Sequence, residues 1–317
     1  MKKNNPFPYS DDNKRYHTWN HYLRHRFHRK VAKVPLDAGF TCPNRDGTKS
    51  TGGCLFCTPH GSGDCVVAAP SLMEQYERGL QTMRRKWPDC ASIAYFQAYT
   101  NTYGPLSRIR ECIEPFLQRE EVKAIALATR ADCLDDEKIA YLQSLSDQRE
   151  IWVELGLQSV YDQTAEAMNR AHSYAEFEDC VRRLSKSDLR ICVHLIDSLP
   201  GESQEMMIES ARRIAQLPIH AVKIHMLHLM RGTRLAQLHE QHPLRLQTME
   251  EYVATVIRQL EVLPAEMIIQ RLTGDGLADD LIAPQWTRKK VCVLNEIDKE
   301  MARRDTWQSR KYRSRID

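Results

Sequence analysis

The hydrophobic positions of this 317-residue chain follow two alternating patterns from residue 70 onward. Short apolar runs, which predict buried strands, alternate with segments whose apolar residues recur every three or four positions, as on one helix face. The predicted strands are Val31–Ala38, Ile93–Tyr99, Val122–Thr129, Ile151–Gln158, Leu189–Ile196, Val222–Leu227 and Met267–Gln270. The clearest helical stripe consists of Met249, Tyr252, Val253, Val256, Ile257 and Leu260.

This alternation predicts an α/β protein with a parallel sheet and right-handed crossovers. The period alone does not distinguish a doubly wound sheet from a barrel. Polar residues, however, directly follow four strand ends, at residues 100–102, 129–130, 158–159 and 197–198. Active sites of βα barrels lie at that end. We therefore predict a partial (β/α)6-type TIM-like barrel over residues 35–285, with short N- and C-terminal extensions at residues 1–34 and 286–317.

The charge is unevenly distributed. The net charge is +3, but residues 1–34 hold nine Lys/Arg and two Asp, and residues 286–317 hold ten Lys/Arg and five Asp/Glu. Basic ends around an acidic middle fit a polyanion such as RNA, or they are solvated terminal faces. No run approaches the ~18 consecutive apolar residues of a membrane span, and residues 1–9 are too polar for a secretory signal. We therefore expect a cytoplasmic protein with no membrane partner.

Three of the ten cysteines lie close together, just after the first strand. Cys42, Cys54 and Cys57 form the spacing Cys-x11-Cys-x2-Cys in a segment rich in glycine and proline. The cysteines that occur singly in apolar stretches are predicted to lie in the core; they are Cys112, Cys133, Cys180 and Cys192.

The cysteine triplet predicts a metal centre. Three thiolates can hold three irons of a cubane cluster and leave the fourth iron open. A structural zinc ion is the alternative, and it requires a fourth ligand such as His60 or Cys65. The expected position at the mouth of a barrel favours a catalytic cluster over structural zinc.

These features resemble the radical SAM superfamily and, within it, the elongator-like branch. The superfamily motif is Cys-x3-Cys-x2-Cys, with an aromatic residue before the last cysteine, where this chain has Phe56. The longer first gap is similar to that of elongator-type tRNA-modifying subunits. Other matching segments over residues 35–275 are Glu154-Leu155-Gly156-Leu157-Gln158-Ser159-Val160-Tyr161-Asp162, Asn169-Arg170-Ala171-His172-Ser173, His194-Leu195-Ile196-Asp197-Ser198-Leu199-Pro200-Gly201, Lys223-Ile224-His225 and Arg231-Gly232-Thr233.

Two features depart from that branch. Only forty residues follow Leu277, so we expect a single-domain form similar to bacterial relatives without the acetyltransferase domain. The superfamily's Gly-Gly-Glu segment is also replaced, here by Thr100-Asn101-Thr102.

The resemblance implies an enzyme that holds a [4Fe–4S] cluster on Cys42, Cys54 and Cys57. Such an enzyme reductively cleaves S-adenosylmethionine (SAM) to a 5′-deoxyadenosyl radical, which abstracts hydrogen from a substrate. The implied SAM contacts are Phe56 beside the adenine, Thr100, Asn101 and Thr102 at the methionine ammonium, Arg170 at the carboxylate, and Gln158 and His194 at the ribose, with Glu154 nearby. An ion pair with Lys223 is the alternative role for Glu154.

Several partners follow from this interpretation. The cluster requires a one-electron reductant of the flavodoxin or ferredoxin type. The substrate is tRNA or another RNA, with a small metabolite or peptide as the alternative. The side chains expected to contact RNA phosphates are Arg303, Arg304, Arg310, Lys311, Arg313 and Arg315. Two rival functions are a zinc-stabilised RNA-binding module and an iron–sulfur electron carrier or regulator without SAM chemistry.

Overall fold

Seven parallel strands form one curled half-barrel sheet in the computed structural model of the chain, which describes residues 7, 9–11, 14–63, 66–274 and 279–314. The strand order is β1-β2-β3-β4-β5-β6-β8, and β7 pairs with β9 in a separate antiparallel sheet. The strands are β1 (Val31–Leu36), β2 (Ala91–Phe96), β3 (Val122–Thr129), β4 (Glu150–Gln158), β5 (Arg190–Asp197), β6 (Ala221–Met226), β7 (Leu229–Met230), β8 (Ile268–Arg271) and β9 (Leu281–Ala283). The prediction of a partial α/β barrel is confirmed.

Helices surround the sheet, and most of them pack on its outer face. They are α1 (Trp19–Phe27), α2 (Leu72–Lys86), α3 (Leu106–Leu117), α4 (Asp136–Ser144), α5 (Asp162–Ala167), α6 (Tyr174–Leu184), α7 (Gln204–Ile214), α8 (Arg234–Gln241), α9 (Met249–Val262) and α10 (Lys290–Arg303). Capping boxes begin α6 at Ser173 and α9 at Thr248, where each hydroxyl and a following glutamate satisfy backbone N–H groups. Among the described residues, no helix could cross a membrane.

Side-chain size differs between the two faces of the sheet. In β3, Ile125 and Leu127 point outward against the helices, whereas Ala124 and Ala126 point into the concave side. Small inner residues allow the sheet to curl. The inner layer also contains Trp152, which is fully buried.

Helix α1 covers the inner layer near the starts of the strands. Trp19 and Tyr22 pack edge-to-face on Trp152, with ring centroids 5.0 and 5.8 Å apart. The N-terminal aromatic residues therefore belong to the core. The boundary predicted at residue 34 falls inside β1, which begins at Val31.

The C-terminal segment is also part of the folded domain. On α10, Val293, Ile297 and Met301 are fully buried against the outer helices. The buried Gln308 side chain donates to the carbonyls of Pro264 and Met267, at 2.7 and 2.8 Å. Its oxygen accepts from the His17 backbone N–H at 2.8 Å. These contacts form a clasp, defined here as Gln308 with His17, Pro264 and Met267, at the amino end of the sheet.

The basic residues of this tail make intramolecular contacts. Arg303 and Arg304 both pair with Glu300, and Lys311 pairs with Glu261. The tail runs beside residues 260–267, which precede β8, so it lies at the opposite end of the sheet from the cysteine segment that follows β1. Arg315 lies outside the described residues.

A buried carboxyl group ends β5. One oxygen of Asp197 accepts a 2.7 Å hydrogen bond from Gln259 on α9, and the other has no partner among the described residues. Burial raises the pKa of Asp197 from 3.8 to about 7; the charge of Glu202 adds to this effect and the Gln259 hydrogen bond opposes it.

Replacing Gln308 with Leu removes three hydrogen bonds, and of their described backbone partners only the Pro264 carbonyl keeps another, the Met267 N–H at 3.1 Å. At about 1 kcal/mol each, we expect the free energy of unfolding in urea to fall by about 3 kcal/mol. Gln237→Leu, on the exposed face of α8, is the matched control and should change stability by less than about 0.5 kcal/mol. Equal stabilities for the two variants would contradict the clasp.

Asp197→Asn should stabilise the apo protein only above acidic pH. The raised pKa means that the folded state keeps a proton that the unfolded state releases, so stability is full below pH 4 and is lost as pH rises towards 7. The asparagine variant carries no charge. We expect it to match the wild type near pH 4 and to exceed it by about 2 kcal/mol at pH 8 in denaturant titrations. A difference that is constant between these pH values would refute the interpretation.

Candidate functional site

The three clustered cysteines lie in a loop at the carboxyl end of β1. Turns within the loop bring them together: the Arg45 N–H donates to the Cys42 carbonyl at 2.8 Å, and the Cys57 N–H to the Cys54 carbonyl at 3.0 Å. Gly53 has φ of +74°, a conformation that favours glycine. All three cysteines line one cavity inside the mouth of the half-barrel.

The cavity contains most of the predicted site residues. Those that line it are Cys42, Cys54, Phe56, Cys57, Thr100, Glu154, Gln158, Arg170 and His194. They come from five separate elements or loops, and the parallel topology places the carboxyl ends of these strands together.

Zinc and a cluster place different demands on the three thiols. A tetrahedral zinc site with Zn–S bonds of about 2.3 Å brings its sulfurs within about 3.8 Å of one another, whereas in a cubane each cysteine binds a different iron. Within the described part of the chain, the sulfurs of Cys42, Cys54 and Cys57 are not among the sets of three potential ligand atoms that lie within 4.8 Å of one another. Cys65 lies outside the described residues.

The polar groups around the thiols also fit a bound anionic group. Both ring nitrogens of His172 are buried at the cavity wall and have no hydrogen-bond partner among the described residues. Burial, together with the charges of Arg170 and Arg130, lowers the pKa of His172 to about 3, so the ring is neutral and carries one unpaired N–H. Burial also raises the pKa of the Cys54 thiol to about 12, so metal binding there must displace a proton.

Asn101 and Thr102 do not line the cavity, and their role at the methionine ammonium stays a prediction. Both are fully buried. The Asn101 amide donates to the carbonyls of Phe96, Ala98 and Ala128, at 2.9 to 3.1 Å, and the Thr102 hydroxyl bonds to Thr129 and to the Cys133 carbonyl. These side chains fix the turn after β2. Thr100 alone of the three lines the cavity.

Arg170 lines the cavity but donates mainly to backbone groups, and its role at the methionine carboxylate stays a prediction. Only 2% of the residue is exposed. Its guanidinium donates to the carbonyls of Leu157, Ser159 and His172, and its Nη2 lies 3.7 Å from an Asp162 oxygen. Arg130 is similarly engaged, with Asp132 and with the Arg170 carbonyl at 2.7 Å.

Glu154 forms the centre of a buried ionic network at the cavity floor. It accepts hydrogen bonds from Lys33 and Lys223, and from His194 at 3.0 Å. Burial would raise the pKa of Glu154, but the two lysine charges hold it well below its usual range. Burial lowers the pKa of Lys223 to about 7 and that of His194 to about 4. The ion pair with Lys223, predicted as an alternative, is present.

Gln158 ends β4 in a left-handed conformation, with φ of +62°. Its amide lies against Gly156, where a Cβ would lie 2.7 Å from the Gln158 side-chain nitrogen. The side chain is thereby turned towards the cavity.

Sequence reasoning missed several cavity residues. They are Arg45, Tyr95, Tyr99, His172, His225 and Arg271. Arg45 lies inside the cysteine segment and His172 inside a family-like motif. The sequence positions of these two residues could therefore have indicated that they lie near the site. Tyr95 lies within a strand whose periodicity does not reveal its neighbour across the barrel.

Comparisons with known proteins agree with this geometry. The Bacillus subtilis protein YtqA is 44% identical over 313 residues, which cover 98% of this chain and 97% of that protein. A tRNA uridine(34) acetyltransferase of Methanocaldococcus infernus is 26% identical over 155 residues, 48% of this chain and 28% of that protein. The structure of the archaeal Methanocaldococcus infernus Elp3 superposes with a TM-score of 0.64 at 18% identity; it covers 88% of this chain and 64% of that one.

Family models match two adjacent regions. The Radical_SAM C-terminal domain matches residues 219–303. The Radical SAM superfamily, whose members use a [4Fe–4S] cluster and SAM, matches residues 45–214. Because this second match alone spans more than half of the chain and includes Cys54 and Cys57, the protein belongs to the radical SAM superfamily.

Proposed function

We propose that the chain is an enzyme that binds its cluster through Cys42, Cys54 and Cys57 and uses SAM to modify a nucleotide of an RNA. The observation that carries the proposal is the convergence of three thiols and the polar strand ends on one cavity. When bound, the cluster supplies one electron to the sulfonium of SAM, and the 5′-deoxyadenosyl radical so released abstracts hydrogen from the substrate. A flavodoxin- or ferredoxin-type protein is the proposed reductant.

The chain's own residues bind and orient SAM. Phe56 offers an apolar face for the adenine, Gln158 and His194 offer hydrogen bonds to the ribose, and Thr100 offers one to the methionine ammonium. His194 remains neutral near pH 7, because burial lowers its pKa to about 4. Its ring is held by Glu154, so its orientation is fixed before SAM binds.

RNA as the substrate is supported by the 155-residue likeness to a tRNA uridine(34) acetyltransferase. The basic tail offers no support for it at the cavity, since the described part of the tail lies at the other end of the sheet, where Arg303 and Lys311 pair with glutamates. Exposed cations also occur beside the cysteine loop: Arg234 approaches Gly52, where a Cβ would lie 3.0 Å from its Nη1, and Arg231 lies on the preceding turn. We therefore propose that Arg231 and Arg234 contact RNA phosphates at the cavity mouth.

Anaerobically reconstituted protein should hold one [4Fe–4S] cluster and form 5′-deoxyadenosine from SAM in the presence of dithionite. Cys57→Ala removes one thiolate, so we expect cluster content and product to fall at least tenfold, as measured by iron analysis and mass spectrometry. Cys292→Ala, at an exposed position outside the cavity, is the matched control and should behave as the wild type.

Three results would count against this proposal. Stoichiometric zinc without a cluster would indicate the zinc-stabilised RNA-binding module. A full cluster with no SAM binding in calorimetry would indicate an electron carrier. SAM cleavage without any RNA affinity would keep the reaction and point to a small metabolite or peptide as substrate.

Charge reversal at the mouth should weaken RNA binding more than charge reversal at the tail. Arg231→Glu/Arg234→Glu removes two proposed phosphate contacts, so we expect the salt dependence of tRNA binding to flatten by about two counterions. Arg303→Glu/Arg304→Glu is the matched pair at the other end of the sheet and should leave the slope unchanged. Fluorescence anisotropy across a salt series measures both. A weaker salt dependence in Arg303→Glu/Arg304→Glu alone would indicate that RNA binds at the amino end of the sheet and would contradict the proposal.

A further inference from the structure

Arg45 is built into the cysteine loop with its charge fixed in place. Its guanidinium donates to the carbonyls of Thr58 and Pro59 and lies over the ring of Tyr99, 5.3 Å from the centroid. Gly53 leaves room for it, since a Cβ there would lie 3.1 Å from the Arg45 Nε. Carbonyl groups, an aromatic ring and the space at Gly53 therefore fix this cation before any cofactor binds.

The fixed cation faces the cluster ligands. Arg45, Cys42 and Cys57 all line the same cavity. Although burial lowers the pKa of Arg45, its interaction with Cys57 raises that pKa overall. The guanidinium therefore lies close to the last cysteine of the triplet.

A second N–H group approaches another ligand. The fully buried Asn44 amide nitrogen lies 3.6 Å from the Cys54 sulfur. It is held by the carbonyls of Asn169 and Arg170, at 2.6 and 2.9 Å. Two adjacent residues of one loop therefore direct donors at two of the three thiols.

Donors and cations near an iron–sulfur centre affect its reduction. Adding one electron makes the centre more negative, so a nearby cation or an N–H···S bond stabilises the reduced form more than the oxidised form. The effect on the reduction potential is positive. It is largest for a charge in a partly buried site, where solvent screens it weakly.

We propose that Arg45 is a positioning residue that acts through Cys57 to raise the reduction potential of the cluster, with Asn44 acting in the same direction through Cys54. The inference rests on the proposed function, because it requires the cluster to occupy these cysteines. It implies that the wild-type cluster can be reduced by a weaker one-electron donor. A variant with a neutral residue at position 45 would need a stronger one.

The test is a redox titration of the reconstituted full-length protein without SAM. Dithionite supplies the single electron through mediators, and the electron paramagnetic resonance signal of the reduced cluster reports the midpoint. In Arg45→Gln we expect the ratio of reduced to oxidised cluster, at the wild-type midpoint, to fall about tenfold, which is about 59 mV for one electron. Arg45→Lys keeps the charge and should recover most of this shift.

Arg149→Gln is the matched control. Arg149 also donates to backbone carbonyls, those of Leu117, Gln148 and Arg119, but it precedes β4 at the other end of the sheet. Its midpoint should equal that of the wild type. An unchanged midpoint in Arg45→Gln, at equal iron content, would overturn the inference, as would equal shifts in the Arg45→Gln and Arg149→Gln variants. A wild type that assembles no cluster would instead overturn the proposed function.

A measurement on the wild type covers the case in which Arg45→Gln does not retain the cluster. Protein labelled with ¹⁵N-arginine should show hyperfine coupling between the reduced cluster and a guanidinium nitrogen in pulsed electron paramagnetic resonance. The coupling should persist in labelled Arg149→Gln. Its absence from the wild type would overturn the inference.

Discussion

The buried guanidinium of Arg170 holds together the parts of the chain that shape the cavity. It binds the carbonyls of Leu157 and Ser159 at the end of β4 and that of His172 in the loop before α6. Its own carbonyl accepts from Asn44 in the cysteine loop. Three segments distant in sequence thus converge on one residue. A buried cation held by four hydrogen bonds is costly to disturb, because any displaced carbonyl would lose a charge-assisted partner away from water.

The ionic network at the floor complements this arrangement. Glu154 brings Lys33 and Lys223 together from opposite sides of the curled sheet, and Tyr95 contacts Lys223 at 3.1 Å. One carboxylate faces two lysines, so the floor gains positive charge as pH falls below 7 and Lys223 is protonated. Such a floor suits anionic or zwitterionic ligands. It also fixes His194 without any ligand present, which lowers the entropy lost on binding.

The sequence was most informative for the strands, which are long apolar runs, and for the closely spaced cysteines. The strands were predicted to within a few residues, since long apolar runs such as Val122–Thr129 permit few alternatives. The cysteine triplet also predicted a metal centre directly, because few kinds of site place three cysteines so close together in sequence. The hydrogen bonds of Asn101 and Arg170 could not be predicted, because a side chain's direction depends on which carbonyls surround it, and these belong to other segments. The α10 stripe was missed because its charged neighbours at positions 296, 298 and 300 suggested a solvated tail.

The clasp at the amino end of the sheet affects how the protein is made. Gln308 completes the hydrogen bonding of His17, a residue synthesised almost three hundred positions earlier. A ribosome must therefore synthesise every residue between these two before their hydrogen bond can form. Until then, the His17 N–H and the Met267 carbonyl lack this partner. During synthesis, the sheet is thus assembled before its amino end is closed by the clasp.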